Sequence, residues 1–453
     1  MATAAAEPQI GHSEPPVDAL PPGPRLPPML MTLVWAFAPT WVLDRCAARY
    51  GETFTLTFGP SGRKLVMLSD PQAVKTVFTA SPDVAPSAAN DSPIASVMGP
   101  SSVITLTGAE HMRQRKLLLP PFHGERMRDY EETIVQATRA GMRDWPIGQP
   151  MRLDARTRAI TLEVILRAVF GVEAERMERM RTAISGLITP AQLPALLLFA
   201  LRRPAAGRPG GAIGRALDHL DAVIYEELAN RRRQADLAER KDILSLLLLA
   251  RDEAGREMTD AELRDELVTL LLAGHETTAT AVAWAIERLV RHPDKLARLV
   301  AEIDAGVGEE YMQAVVAETL RVRPVVPLVV RRLRRPLPVG DRVLPAGTRV
   351  VPSIYLTNRN PRVYEQPREF RPERFLNNPP ETFSWIPFGG GIRRCIGAAF
   401  ATLEMKLILS TTLSELSPQL PSRRPRRRGE LNRRRAITLV PSAGARVVWQ
   451  PRR

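Results

Sequence analysis

Hydrophobic residues recur every three to four positions along much of the chain, which is the spacing of helices that bury one face. The longest uninterrupted pattern of this kind runs from Thr259 to Arg291. Thr259 and Asp260 are residues that cap the amino end of a helix, and Pro293 cannot continue one. The pattern therefore predicts one long helix in the second half of the chain. Shorter amphipathic helices are predicted at 162–172, 216–231 and 242–249.

Alternation of apolar and polar residues, which indicates a half-buried strand, is limited to short stretches. Residues 52–58 and 63–68 alternate in this way on either side of a turn, so they predict a hairpin. Further strands and turns are predicted at 336–339, 341–345, 349–354 and 436–440. Residues 86–107 predict a long loop, of the length that is usually functional or disordered.

Prolines dominate the chain between Pro15 and Pro28, so no helix or strand is expected before about Met29. We expect residues 1–25 to form a flexible proline-rich lead. Residues 26–453 are expected to form a single domain. The first element of that domain should be the apolar stretch that follows the prolines.

That apolar stretch, residues 29–43, is too short and too interrupted to span a bilayer, which requires ~20 apolar residues. We predict an amphipathic helix that packs on the domain and leaves Trp35 and Trp41 partly buried. Peripheral contact with a membrane surface is the alternative. No transmembrane segment is expected, and residues 1–14 lack the pattern of a signal peptide, which favours the cytoplasm.

Composition narrows the class of protein. With 44% hydrophobic and 25% charged residues among 453, the chain is typical of a globular enzyme. Its two cysteines, Cys46 and Cys395, cannot build a disulfide framework, which fits a reducing compartment.

The net charge of +14 raises nucleic acid as a partner. However, the chain has only 5% aromatic residues and lacks zinc-finger and basic-zipper spacing, so no nucleic acid partner is predicted. A dense arginine segment at 423–435 has no assigned role.

The most informative stretch is residues 384–397, a glycine-rich turn that carries Cys395 and leads directly into an apolar helix. A cysteine at the start of a helix is placed where N–H groups and the helix dipole stabilise a thiolate. Arg393 and Arg394 add positive charge beside it. The alternative is an ordinary buried cysteine next to a turn.

The predicted long helix contains a second unusual stretch. Leu270, Ala273, Gly274 and Thr277 share one face, which is therefore small and ends in a hydroxyl. A notch for packing a second helix is the alternative explanation, because a glycine inside a helix costs about 1 kcal/mol relative to alanine. His275 and Glu276 do not indicate a zinc protease, because residue 279 is alanine rather than the second histidine.

The spacing Phe388-x-x-Gly391-x-Arg393-x-Cys395-x-Gly397 resembles the haem signature of the cytochrome P450 family at each of these positions. Other motifs resemble that family in the same chain order: Ala273 to Thr277, Glu318 with Arg321, and Arg374. The resemblance extends from about Leu20 to the carboxyl terminus.

The resemblance implies a mainly α fold with a small β lobe, and haem b held between the long helix and the Cys395 loop. Cys395 would be the axial iron ligand. Asn358 stands where many relatives have histidine, so one hydrogen bond on the haem side is in question. The segment 187–211 would cover the lid through which substrates enter. The cofactor-binding residues implied are His111, Arg115, Ala273, Gly274, Arg331, Phe388, Gly389, Gly391, Arg393 and Cys395.

The resemblance also assigns roles away from the cofactor. Glu276 and Thr277 would be catalytic, delivering protons to bound oxygen. Glu318, Arg321 and Arg374 would form a buried structural triad. The substrate pocket would be lined by Leu270, Val325, Val326, Val329 and Ile437.

The implied function is that of a haem-thiolate monooxygenase, which inserts one atom of O2 into a small apolar substrate such as a lipid, terpenoid or steroid-like molecule. Electrons would come from a separate ferredoxin or flavodoxin-type donor with its reductase, because no such module is fused to the chain. A peroxide-driven or isomerising haem-thiolate enzyme is the main alternative. A haem-binding sensor or carrier would not need Glu276 and Thr277.

Overall fold

Helices form most of the protein, in a computed structural model that describes residues 18–91, 95–171, 174–191, 208–421 and 429–452. The helices are α1 (Pro28–Phe37), α2 (Pro39–Tyr50), α3 (Pro71–Thr79), α4 (Ala95–Met98), α5 (Gly108–Leu118), α6 (Arg126–Asp129), α7 (Glu131–Met142), α8 (Leu153–Phe170), α9 (Ala174–Ala191), α10 (Gly211–Arg232), α11 (Ile243–Leu249), α12 (Asp260–Leu289), α13 (Pro293–Ala305), α14 (Glu310–Val322), α15 (Ile354–Thr357) and α16 (Ala398–Glu415).

Short strands form small sheets beside the helices. The strands are β1 (Thr53–Phe58), β2 (Arg63–Leu68), β3 (Pro150–Arg152), β4 (Arg331–Arg332), β5 (Leu337–Val339), β6 (Arg342–Leu344), β7 (Arg349–Pro352), β8 (Leu416–Gln419), β9 (Asn432–Arg435), β10 (Thr438–Pro441) and β11 (Arg446–Pro451). The largest sheet has the order β1-β2-β7-β4, with β2 and β7 parallel. The others are β3-β11-β8, β9-β10 and β5-β6. The predicted mainly α fold with a small β lobe is confirmed.

The long predicted helix is α12, and its start is fixed as expected. The Thr259 hydroxyl accepts a hydrogen bond from the Glu262 backbone N–H, and the Glu262 carboxylate accepts one from the Thr259 backbone N–H. α8 packs along α12 and shares the main hydrophobic core with it. The face of α12 that is predicted to be functional is therefore displayed by a helix held on its other sides by core packing.

The start of the chain differs from the expected flexible lead. Within residues 18–25, the Pro22 carbonyl accepts from the Thr55 N–H at 3.0 Å, and the Asp18 N–H donates to the Val343 carbonyl at 2.9 Å. These hydrogen bonds fix the described part of the lead on β1 and β6, because an edge strand has free backbone groups that a passing chain can pair with. Residues 1–17 lie outside the described part.

The apolar stretch 29–43 is divided between α1 and α2, because the chain changes direction at Ala38 and Pro39. Trp35 is half-buried, as predicted, whereas Trp41 is 57% exposed. Over the described residues, no helix is both long enough and apolar enough to cross a membrane. Most of the predicted lid at 187–211 and part of the arginine segment at 423–435 lie outside the described residues.

Candidate functional site

The Cys395 loop packs directly on α3. Gly391 has a left-handed backbone with φ +63°, and a Cβ at this position would lie 2.0 Å from the Phe78 carbonyl oxygen. A side chain is excluded there both by the backbone conformation and by the close approach. The Cys395 N–H donates to the Phe388 carbonyl at 2.9 Å and closes the turn before α16. The glycines thus allow the loop to contact α3.

The Asn358 side chain, in the turn after α15, and two backbone carbonyls of α14 hold the base of this loop. The Asn358 side-chain oxygen accepts from the Ile386 N–H at 2.9 Å, and the Asn358 amide donates to the Leu320 carbonyl at 3.4 Å. The Trp385 indole N–H donates to the Ala317 carbonyl at 3.1 Å. Asn358 was questioned in the sequence only as a replacement for histidine. Its full burial and two-sided bonding identify it as the residue that ties the loop to α14.

Two opposing effects act on the thiol of Cys395. Burial raises the pKa of its thiol, and the Gly397 N–H and the charges of Arg394 and Arg115 only partly oppose that rise. The N–H group at the helix start lowers the pKa of the Cys395 thiol, as predicted, but burial raises this pKa by more. A cation that coordinates the sulfur would supply the missing stabilisation of the anion.

Four basic side chains meet beside the loop: His111 and Arg115 from α5, Arg331 from β4, and Arg393. Burial and the charges of the three arginines lower the pKa of His111 to about 4. Burial lowers the pKa of Arg331 to about 10, and burial with the charges of Arg331 and Arg115 lowers that of Arg393 to about 10. Among the described residues, no carboxylate influences the pKa of His111, Arg331 or Arg393. This cluster is therefore a buried positive site.

Arg393 also fixes the long loop before α5. Its guanidinium donates to the Val103 carbonyl at 2.8 Å and to the Leu106 carbonyl. On its other side the same loop is held by α12, because the Val103 N–H donates to the Glu266 carboxylate at 2.7 Å. The loop predicted at 86–107 is thus partly ordered, and it connects the cysteine loop to the long helix.

The residues of the Ala273–Thr277 motif lie on two different faces of α12. Gly274 would place a Cβ 3.1 Å from the Ile165 side chain, so it is the packing notch for α8 rather than part of an open surface. Ala273 is exposed, and its carbonyl accepts a hydrogen bond from the Thr277 hydroxyl at 2.7 Å. This bond competes with the helix ladder at this turn.

Glu276 is an ion-pair partner of Arg435, which lies at the end of β9. The Arg435 Nη2 is 2.7 Å from the Glu276 Oε1. Burial raises the pKa of Glu276, while the charges of Arg435 and Arg158 act to lower it. The sequence predicted a role for Glu276 in proton delivery but indicated no partner for its carboxylate. The ion pair was missed because it joins distant parts of the chain.

The residues predicted to line the pocket lie in different packing clusters. Val325 is 7% exposed and belongs to the main core, against which Leu270 also packs. Val326 and Val329 pack on a small cluster that includes Phe78. Ile437 is 45% exposed in the turn between β9 and β10. Val325 therefore packs in the main hydrophobic core, in addition to its predicted place in the substrate pocket.

The predicted triad is brought together by the structure. The Arg321 Nε donates to Glu318 at 2.6 Å, and the Arg374 Nε donates to it at 3.2 Å. Glu318 and Arg321 are completely buried. Arg321 also donates to the backbone carbonyls of Asn358, Pro367 and Glu369.

The residues present fit a haem. The basic cluster offers donors for the two anionic propionate groups of a haem, and the buried His111 Nδ1 has no hydrogen-bond partner within the described residues. Cys395 has exposed surface although protein surrounds it. A soft sulfur ligand and a cationic anchor thus lie close enough for Arg115 and Cys395 to interact electrostatically.

Comparisons with known proteins agree with this geometry. The family model described as Cytochrome P450 matches residues 21–444. Cytochrome P450 137 of Mycobacterium tuberculosis is 42% identical over 90% of this chain and 85% of its own length. Cytochrome P450 135B1 of Mycobacterium bovis is 39% identical over 94% of this chain and 91% of its own length.

Solved structures share the fold. Retinoic acid bound cyanobacterial CYP120A1 superposes with a TM-score of 0.80 at 24% identity, over 96% of this chain and 100% of that one. The cytochrome P450DA heme domain has a TM-score of 0.83 at 22% identity, over 97% and 98%. The chain belongs to the cytochrome P450 family, and with it to the haem-thiolate monooxygenases.

Proposed function

We propose that this monooxygenase oxidises a small apolar substrate, lipid, terpenoid or steroid-like, with Cys395 as the iron ligand and the basic cluster as the propionate anchor. The observation that carries this proposal is the cluster of Arg115, Arg331, Arg393 and His111 beside Cys395, which is wholly or partly buried and has no carboxylate partner among the described residues. Bound haem supplies oxygen activation, which the electron-donating thiolate favours. The protein residues position that group, exclude water and handle protons.

Proton delivery is assigned to Thr277 and Glu276. The Thr277 hydroxyl donates to the Ala273 carbonyl, and we propose that this bond loosens the helix ladder so that a water can enter. Burial raises the pKa of Glu276, which is the direction that favours a role as proton donor. Thr277→Ala should keep haem, the carbon-monoxide band and substrate binding, but consume NAD(P)H and oxygen while releasing peroxide. A Thr277→Ala enzyme that couples reduction to product as well as wild type would refute this role.

The substrate is best sought among apolar molecules, because the residues assigned to the pocket are Leu270, Val325, Val326, Val329 and Ile437. The experiment is a screen of lipid and terpenoid libraries for substrate-induced spectral shifts. Hits should then yield products that contain one oxygen atom from labelled O2. Products that appear only with added peroxide, and without reductant, would instead establish the peroxide-driven alternative.

The electron donor is proposed to be a separate acidic ferredoxin or flavodoxin-type protein that docks beneath Cys395. Arg394 and Ile392 are exposed on that side, and the net charge of +14 favours an acidic partner. The rate of haem reduction by such a donor should fall as salt rises, because screening weakens steering between opposite charges. A rate that is indifferent to salt would remove the electrostatic part of this proposal.

The enzyme is proposed to act in the cytoplasm and to make peripheral contact with anionic membranes through α1 and α2. Leu33, Phe37 and Trp41 are 48%, 80% and 57% exposed, and α1 carries no charge. Arg25 and Arg45 lie exposed nearby in the chain, so an apolar surface flanked by cations faces outward. The protein should sediment with vesicles of anionic lipid, and Phe37→Ser with Leu33→Ser should abolish this. Equal sedimentation of that variant would refute the proposed contact.

A further inference from the structure

Arg435 joins two carboxylates that lie far apart in the chain. It is the last residue of β9, and the adjoining turn is held by the Thr438 hydroxyl, which donates to the Arg435 carbonyl at 2.8 Å. Its Nη1 donates to the Asp154 carboxylate at 3.4 Å, and its Nη2 pairs with Glu276 at 2.7 Å. The side chain is 8% exposed. One buried cation therefore bridges the start of α8 and the middle of α12.

The two carboxylates differ in how firmly they are held. Asp154 is also paired with Arg152 and Arg158, each at 3.2 Å. Although burial would raise its pKa, the hydrogen bonds and charges of these arginines lower it overall. Asp154 therefore remains ionised at neutral pH.

Glu276 is ion-paired, among the described residues, with Arg435. Neither of its carboxylate oxygens has a hydrogen bond of good geometry there, and burial raises its pKa. Protonation of Glu276 would not leave Arg435 unpaired, because Asp154 keeps the guanidinium in place. Glu276 is thus the member of this group that can change its charge at low cost.

The adjacent histidine cannot take that role. His275 is buried, and burial lowers its pKa to about 4, with further lowering by Arg158 and Arg435. Its Nδ1 lies 3.0 Å from the Leu271 carbonyl and donates to it. The imidazole is therefore neutral at physiological pH and fixed in the helix. The ionisable and charged groups around Arg435 are Asp154, Arg152, Arg158, His275 and Glu276.

We propose that Arg435 is a positioning residue for oxygen activation, which holds the Glu276 carboxylate toward the β9-β10 hairpin and sets when Glu276 carries a proton. The inference rests on the proposed role of Glu276 as proton donor. Glu276 gives its proton toward the Thr277 turn, becomes the anion that Arg435 stabilises, and is reprotonated from water. Asp154 acts as the fixed anchor of Arg435 through both states.

The test uses the haem-loaded enzyme and the variants Arg435→Gln, Arg435→Lys, Glu276→Gln and the double variant Arg435→Gln/Glu276→Gln. The carboxyl band of Glu276, assigned by its loss in Glu276→Gln, is titrated by infrared difference spectroscopy. Its midpoint should rise by ~1 pH unit or more in Arg435→Gln, because a paired cation lowers a carboxyl pKa by ~1–3 units. Arg435→Lys should restore part of that shift.

The same variants are compared in product formed per NAD(P)H consumed. Arg435→Gln should lower this coupling in the single variant and have no further effect once Glu276 is glutamine. Arg433→Gln, an exposed arginine on the same strand, is the matched control and should match wild type. Arg435→Lys retains the charge and keeps the test available if Arg435→Gln folds poorly.

An unchanged Glu276 midpoint in both Arg435 variants would overturn the inference. So would a loss of coupling from Arg435→Gln that persists in the Glu276→Gln background, because Arg435 would then be merely structural. The Glu276 midpoint could shift in Arg435→Gln while Glu276→Gln forms as much product per NAD(P)H as wild type. Glu276 would then not be the proton donor, although its pairing with Arg435 would be confirmed. A wild-type protein without any oxygenated product would be a failure of the proposed function instead.

Discussion

Two groups of buried arginines in this protein differ in the partners that their guanidinium groups have within the chain. In the triad, Arg321 is 0% exposed and its guanidinium bonds to Glu318 and to three backbone carbonyls. In the basic cluster, Arg331 is 7% exposed and donates to the Val330 carbonyl, and burial lowers its pKa to about 10. In the first group, both arginines pair with the carboxylate of Glu318. In the second, no carboxylate of the described residues pairs with the arginines.

This difference separates structure from function. Removing a charge from water is costly, so a buried cation that the chain does not pair must be compensated by something that the chain does not contain. The triad is complete as it stands and holds α14 to the segment at 365–374. The basic cluster is complete only with an anionic group such as the two propionates of haem. The two groups should therefore respond differently to mutation and to added haem.

The largest effect is expected in the triad. Glu318→Ala leaves Arg321 buried without its anion, which should lower the free energy of unfolding by about 3–5 kcal/mol and reduce haem content. Denaturant unfolding and the yield of haem-loaded protein measure this. Glu310→Ala, at an exposed position on the same helix, is the control and should cost at most about 1 kcal/mol. A stable, fully haem-loaded Glu318→Ala protein would contradict the structural role of the triad.

A third buried ionisable group, Glu404, tests whether pairing with an opposite charge determines how burial affects stability. Glu404 on α16 is completely enclosed, and burial raises its pKa from 4.5 to about 8, opposed by a hydrogen bond from Thr278. A carboxyl can avoid the cost of burial by keeping its proton, which an arginine cannot do. The pKa of Glu404 is therefore higher in the folded protein than in the unfolded chain. Its contribution to the free energy of unfolding is fully present below pH 4.5 and is lost as the pH rises toward 8.

Glu404→Gln should therefore reduce the decline of stability between pH 5 and pH 8, by at most about 1.4 kcal/mol per pH unit. Denaturant unfolding across this range measures the slope for both proteins. Glu381→Gln, an exposed position, should follow the wild-type slope. Identical slopes for wild type and Glu404→Gln would show that Glu404 is ionised when folded.

The basic cluster should respond through the cofactor. On the proposal that Arg331 donates to a haem propionate, Arg331→Gln should remove a charge-assisted hydrogen bond worth about 1.5–3 kcal/mol, or roughly 10–100-fold in haem affinity. The rate of haem transfer to an excess of a second haem-binding protein measures this loss. Excess haem should restore full loading of Arg331→Gln by mass action but should not rescue Glu318→Ala. Rescue of both variants, or of neither, would erase the distinction between the two groups.

The smallest effect is expected at the surface. Arg179 and Glu226 pair at 2.5 Å, and both side chains are 49% exposed. Solvent and salt screen such pairs, so Arg179→Ala should leave the denaturation midpoint unchanged within error. A marked loss of stability in this variant would mean that burial is not what separates the triad from ordinary ion pairs.

Sequence patterns predicted the features that are local. The capping box of α12, the Glu318–Arg321 pair and the Cys395 loop each depend on residues within one short segment. The partners of Arg435 could not be predicted, because Asp154 lies 281 positions away and no spacing rule connects them. Nor could the sequence show that Gly274 accommodates Ile165, since either a cofactor or a helix would fill such a notch.

The burial of Cys395 could not be predicted for a related reason. The position of Cys395 before α16 is visible in the sequence, and the Gly397 N–H does lower its pKa. The burial that opposes this effect arises from elements scattered along the chain. A helix start thus predicts where an anion can be bound but not whether the anion forms without a partner.

The central claim is that Cys395 coordinates haem iron in a site whose basic cluster is neutralised by the cofactor. The most direct measurement is the spectrum of the reduced, carbon-monoxide-bound protein, recorded for wild type, Cys395→His, Cys395→Ser and the control Cys46→Ser. Wild type and Cys46→Ser should show the red-shifted band of a thiolate-ligated haem, and both Cys395 variants should lose it. Retention of that band in Cys395→His or Cys395→Ser would contradict the account.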